Sequence, residues 1–165
     1  MLYFAYGSNL NRKQMKRRCK DSEYITCHTL KGYKLSFRNN YFGGGVLDGG
    51  VADIEKKQNG EVLGAIYKIS KKDEKKLDVY EDFPKLYIKK YFKILGKKVM
   101  FYYMPKKTKH VPPSSRYLSI IKQGYRDCGY KNSYIVISGN RRVKIKWKFL
   151  IASCFMMKKW YWIFV

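Results

Sequence analysis

Gly7, Ser8 and Asn9 interrupt an apolar opening, Leu2-Tyr3-Phe4-Ala5-Tyr6, and precede a run of helix formers from Asn11 to Arg18. A short apolar and aromatic run closed by a turn signal reads as a buried strand. Glycine permits close backbone approach, and Ser and Asn satisfy nearby backbone groups. Strand, tight polar loop and helix leave N–H groups without partners at the loop, which suits an anion such as a carboxylate. An ordinary strand-to-helix turn accounts for the same residues. A second segment, Leu77 to Tyr87 (LDVYEDFPKLY), sets acids among aromatics in a lysine-rich chain. A Glu81 half-buried beside Tyr80, Phe83 and Tyr87 would have its pKa raised toward neutrality, where general acid–base catalysis is most efficient. The plainer reading is a solvated acid near a helix end, paired with some surface cation. Asp78 and Asp82 are the neighbouring carboxylates. Cys27-His28 has the residue types of a nucleophile and its base, but adjacent strand residues point to opposite faces.

These residues need elements to hold them. Residues 1–6 read as the first strand and 11–18 as a helix. Residues 25–37 alternate around Leu30, Tyr33, Leu35 and Phe37, a strand bent at Gly32. Residues 38–50 are polar and glycine-rich and lack the closing Gly-Lys-Ser/Thr of a phosphate-binding loop. They read as a surface loop, or as one bordering a cleft. Val51 to Ile54 reads as a strand, Asn59-Gly60 as a hairpin turn and Val62 to Ile69 as the returning strand. Ser70 and Asp73 form a capping-box-like start to a helix running to about Val79, and Pro84 prevents its continuation. Residues 86–95 and 97–104 read as two strands joined at Gly96. Pro112 to Ser115 opens a further helix, with Tyr117, Leu118, Ile121 and Tyr125 on one apolar stripe and Gly129 near its C-cap. Strands outnumber helices, which implies an α+β domain on a curved, largely antiparallel sheet.

The chain has 165 residues, enough for one domain with a real core. Its net charge of +24 is carried mostly by lysine. Specific nucleic-acid readers favour arginine, and none of their signatures is visible, so the expectation is no specific nucleic-acid partner. Lysine richness can reflect codon usage, and weak attraction to polyanions at low salt is compatible with it. Cys19, Cys27, Cys128 and Cys154 form no C-x-x-C pair, which argues against a structural zinc site. Met1 leads straight into the first strand, and reduced thiols in a cytoplasm are the expectation. Residues 131–165 differ from the rest. They hold eight basic residues, no acid and all three tryptophans. The apolar run Phe149 to Met157 is too short to span a bilayer. This tail could lie on a membrane surface, cover the core, or be an extension without a role.

FAYGSNL near the start, GVADI at 50–54, LDVYEDFPKLY at 77–87 and PPSSRYL at 112–118 together resemble the gamma-glutamylcyclotransferase family, in particular its small bacterial, avirulence-induced-gene-like branch. The resemblance spans residues 1–130 and stops before the tail, residues 131–165. It implies a small barrel-like mixed sheet flanked by helices. The implied reaction turns a gamma-glutamyl amino acid or amine into 5-oxoproline and a free amine, without metal or organic cofactor. Glu81 stands at the position of the family's catalytic glutamate, acting as base and then acid. Tyr6, Gly7, Ser8, Asn9 and Leu10 match its substrate-gripping motif. Tyr87 and Tyr117 fall at aromatic positions that line the pocket or pack the core. Asp82 replaces the usual glycine, so a non-catalytic module binding a small metabolite on the same scaffold is the alternative.

Overall fold

A computed structural model describes residues 1–40, 49–130, 134–138 and 141–144, the last two segments by backbone alone. The elements in chain order are β1 (Leu2–Ala5), a 3₁₀ turn (Ser8–Leu10), α1 (Arg12–Arg18), β2 (Glu23–Arg38), β3 (Val51–Lys68), α2 (Lys71–Tyr80), β4 (Ile88–Ile94), β5 (Lys97–Tyr103), α3 (Ser115–Asp127), β6 (Tyr134–Ser138) and β7 (Arg141–Lys144). Five strands form one sheet in the order β2-β3-β1-β5-β4, and β6 and β7 pair separately. Within the five-stranded sheet, β1 and β5 run parallel and the other pairs are antiparallel. This is the α+β architecture with a largely antiparallel sheet that the residue pattern implies.

The apolar opening segment occupies the sheet centre, where Phe4 and Ala5 are fully buried. Continuous apolar sequence is what a strand covered on both faces requires. Because β1 ends in the middle of the sheet, the loop that follows emerges beside β3 and β5 rather than at an edge. Asn11 caps α1 by accepting from the Gln14 N–H, Ser70 caps α2 by accepting from Asp73, and Ser114 caps α3 by accepting from Tyr117. Side-chain caps of this kind satisfy N–H groups that the first helical turn leaves open. α3 buries Leu118, Ile121, Gly124 and Tyr125. Gly129, with φ +70°, closes that helix one residue past its Cys128 C-cap.

Two expectations are corrected. Asn59-Gly60 makes no hairpin; β3 runs unbroken from Val51 to Lys68. Between the pairs Lys31–Glu61 and Tyr33–Lys56, β2 advances two residues while β3 advances five. The left-handed Asn59 (φ 57°) therefore serves a bulge, not a chain reversal. Long pairing with β2 on both sides of the bulge overrides the local turn signal. The chain reversal falls instead at Leu95-Gly96, both at positive φ, between β4 and β5. The second correction concerns the thiols, which are not all reduced. Cys27 of β2 and Cys128 at the end of α3 form a disulfide, their Cα atoms 5.6 Å apart. Cys19 is a buried free cysteine, and burial pushes its thiol pKa up to about 11. His28 is not a partner for Cys27; it stacks on Phe92 at 5.6 Å.

Among the described residues no helix is long and apolar enough to cross a membrane. Most of the glycine-rich loop, the tryptophans of the tail and the run Phe149 to Met157 lie outside the described residues.

Candidate functional site

A cavity of about 240 Å³ opens where β1 ends. It is smaller than the usual pocket for a drug-sized ligand, about 300–1,000 Å³, and so suits a compact metabolite. Its floor comes from the Gly7-Ser8-Asn9 loop, one wall from Tyr80, Glu81 and Asp82 at the end of α2, and another from Ala52 of β3 and Tyr117 of α3. Tyr3, Tyr6, Tyr87 and Tyr102 also line it.

The loop is fixed from several sides. The Leu10 N–H donates to the Gly7 carbonyl at 3.0 Å, and the Gln14 side-chain amide donates to the Ser8 carbonyl at 3.0 Å. A Cβ on Gly7 would stand 3.1 Å from the Ala52 Cβ and 3.3 Å from the Tyr117 hydroxyl, so only glycine sits there without pushing the wall. The amides at the start of this turn precede the first position where an internal bond can form, so they stay available to an acceptor.

Glu81 caps the C-terminus of α2, with its N–H donating to the Leu77 carbonyl at 2.8 Å. Its carboxylate Oε1 accepts from Asn9 Nδ2 at 3.0 Å, and the same amide donates to the Tyr3 hydroxyl at 3.1 Å. One side chain of the loop therefore touches the candidate acid directly. Burial pushes the Glu81 carboxyl up to about 7, while the Arg18 charge and the Asn9 hydrogen bond pull the other way. Desolvation wins because the surrounding wall is tyrosine rather than water. The tyrosines themselves stay neutral: burial raises Tyr3, Tyr6 and Tyr87, and the nearby Glu81 charge adds to that rise.

The residues singled out from the sequence do not all reach the cavity. Gly7, Ser8, Asn9, Tyr6, Glu81, Tyr87 and Tyr117 do. Leu10 does not; its side chain is fully buried in the core, and its carbonyl accepts from the Tyr67 hydroxyl at 3.3 Å. The apolar side chain that completes the motif turns inward and anchors the turn. Tyr87 and Tyr117 both line the cavity and hold β3: the Tyr87 hydroxyl donates to the Ala52 carbonyl at 2.6 Å, and the Tyr117 hydroxyl accepts from the Ala52 N–H at 3.3 Å. Asp78 serves the scaffold, accepting from the Tyr102 hydroxyl at 2.7 Å and pairing with Lys89 at 2.8 Å. Asp82 lines the cavity at φ 51°, a left-handed backbone that glycine adopts at no steric cost. Tyr3, Arg18 and Tyr102 escaped the sequence reading, since no local pattern separates them from core tyrosines or surface basic residues. Among the described residues no cluster of His, Cys, Asp and Glu is arranged to hold a metal.

The family described as "Gamma-glutamyl cyclotransferase, AIG2-like" matches residues 3–124. Human gamma-glutamylcyclotransferase is 30% identical over 139 residues, covering 81% of this chain and 74% of that protein. The mouse protein of the same name is 29% identical over 141 residues, with the same coverage of each chain. A solved structure of a gamma-glutamyl cyclotransferase superposes with a TM-score of 0.68 at 29% identity, covering 78% of this chain and 80% of that one.

Proposed function

The chain belongs to the gamma-glutamyl cyclotransferase, AIG2-like family, and from that premise we propose that it converts a gamma-glutamyl amino acid or amine into 5-oxoproline and the free amine, with Glu81 as the proton carrier. The observation that carries this reading is the contact between Glu81 and Asn9 at 3.0 Å across a cavity that the Gly7-Ser8-Asn9 loop also lines.

The amides of that loop receive the substrate's α-carboxylate, which curls the glutamyl chain so that its α-amine approaches its own γ-carbonyl. Positioning of this kind is worth roughly 7–11 kcal/mol in favourable intramolecular reactions. The Glu81 carboxylate takes a proton from the α-ammonium. The freed nitrogen attacks the γ-carbonyl carbon, closing a five-membered lactam as the original amide C–N bond breaks. The protonated Glu81 then returns that proton to the departing nitrogen, and the second proton, shed by the ring nitrogen as the lactam forms, passes over the same carboxylate to the amine, which leaves as an ammonium. One group serves as base and then acid because its pKa lies near neutrality. Tyr87 and Tyr117 shape the walls and fix Ala52 beside the loop.

The pH dependence follows from the sign of the Glu81 shift. Only the ionised carboxylate can accept the proton, and Glu81 ionises near pH 7 rather than near its ordinary 4.5. The value of kcat/KM for a gamma-glutamyl substrate should therefore rise with pH through about 7 and fall about tenfold per unit below it. An acidic limb at pH 4–5 instead would mean an exposed carboxylate does the work. A binding module without turnover is the second reading, favoured by Asp82 on the cavity wall. Saturable binding of gamma-glutamyl ligands with no product would support it.

A further inference from the structure

Arg18 ends α1, half-buried beside the site yet outside the loop and the acidic segment. Its Nη1 donates to Asn9 Oδ1 at 2.6 Å and to Ser8 Oγ at 3.0 Å. Its Nη2 donates to the Tyr80 hydroxyl, and the guanidinium carbon lies 3.5 Å from the centre of the Tyr80 ring. The fork thus ties the loop that floors the cavity to the end of α2, the wall that carries Glu81. A planar guanidinium with several fixed donors can make these contacts together; a lysine ammonium cannot span them with the same geometry. By gripping Asn9 Oδ1, Arg18 also fixes the rotamer of that amide. Its Nδ2 must then face Tyr3 and Glu81.

We propose that Arg18 is a positioning residue of this site: it acts through Ser8 and Asn9 to hold the loop in its substrate-receiving shape, and its charge, held one side chain away from Glu81 through Asn9, favours the ionised carboxylate against the burial that opposes it. The proposal rests on the reading of Glu81 as proton carrier given above. The groups facing Glu81 are Asn9 and Tyr3 from the loop and β1, Tyr6 just before the loop, Tyr80 and Asp82 beside it, Tyr87, Tyr102 of β5, and Tyr117 of α3. Neutral tyrosines add no charge. Asp78 and Glu74 share Lys89, and Asp82 is the further carboxylate on this wall. Arg18 is the cation whose field reaches the Glu81 carboxyl and favours its ionised form.

The test compares wild type with Arg18→Gln and Arg18→Lys, and uses Glu81→Gln as the reference. Two readouts are taken: kinetics on a gamma-glutamyl amino acid, and direct titration of the Glu81 carboxyl carbon by NMR, which needs no turnover. Arg18→Gln should move the Glu81 titration and the acidic limb of kcat/KM upward by about one pH unit. It should also raise KM by roughly tenfold through loss of a charged hydrogen-bonded anchor. Arg18→Lys should restore the titration while leaving KM raised, a split that a merely structural role would not produce. Thermal unfolding of each variant checks that the fold persists. An unmoved Glu81 titration in Arg18→Gln, or an unchanged KM, overturns the proposal. Full activity in Glu81→Gln sinks the proton-carrier reading instead, and the NMR titration still reads the Arg18 effect on its own.

Discussion

Glu81→Gln is expected to lower kcat by about 10³-fold on a gamma-glutamyl substrate, within the roughly 10²–10⁴ range that a positioned acid–base contributes. Glutamine keeps the size of the side chain and an oxygen that can accept from Asn9 Nδ2, so the loop should hold its shape and KM should change little. What disappears is the proton exchange, which requires a titrating oxygen. Steady-state kinetics of the variant beside wild type measure this, and turnover within about threefold of wild type, far short of that range, would remove Glu81 from the mechanism. The same substitution has a stability signature. The carboxyl is held protonated up to about pH 7 in the folded protein, against an ordinary value of 4.5. The folded state therefore binds more protons than the unfolded one across that interval, and wild-type stability declines as pH rises through it. The amide that replaces the carboxyl in Glu81→Gln cannot titrate. Denaturant unfolding should find the variant's stability relative to wild type increasing from pH 4.5 to about 7 and flat above.

Gly124→Val should be strongly damaging although it lies away from the cavity. A Cβ at Gly124 would stand 2.7 Å from the Asn11 nitrogen, the Leu10 carbonyl carbon and the Leu10 Cγ. Two of those atoms are backbone, so α3 or the 3₁₀ turn must move. Overpacking of this kind costs about 1–3 kcal/mol, a large part of a typical stability of about 5–15 kcal/mol. Valine is also a weaker helix former than alanine, because its branched side chain loses freedom against the preceding turn, so little is regained from replacing glycine. The melting temperature should drop by about 5–10 °C. Since the displaced turn carries Ser8 and Asn9, KM should rise as well. Valine tolerated with both quantities unchanged would mean that α3 does not brace the loop.

Much of this architecture is legible in the sequence because the relevant signals are local. The strand–loop–helix opening, the caps at Ser70 and Ser114, and the Gly96 reversal each depend on a few adjacent residues. The Asn59-Gly60 signal misleads because pairing with β2 on either side decides the geometry there, and that partner is a separate strand. The Cys27–Cys128 disulfide joins residues 101 apart, with no spacing motif to announce it. Leu10 reads as part of the grip because it belongs to the same motif; only packing reveals that it faces inward. Arg18 is hidden among Lys13, Lys16 and Arg17, chemically alike and on the same helix. Which of these basic residues faces the loop depends on how α1 docks, a tertiary fact. Asp82 is the converse case: the family resemblance marks it as standing where glycine is expected, while the positive φ that favours glycine is visible only in three dimensions.

The most direct test of the central claim is product stoichiometry. Purified protein incubated at about pH 8, above the Glu81 titration, with a panel of gamma-glutamyl amino acids and amines should release 5-oxoproline and free amine in equal amounts from at least one substrate, with release about 10³-fold slower in Glu81→Gln. Release of glutamate in place of 5-oxoproline, or saturable binding without either product, would contradict intramolecular cyclisation at this site.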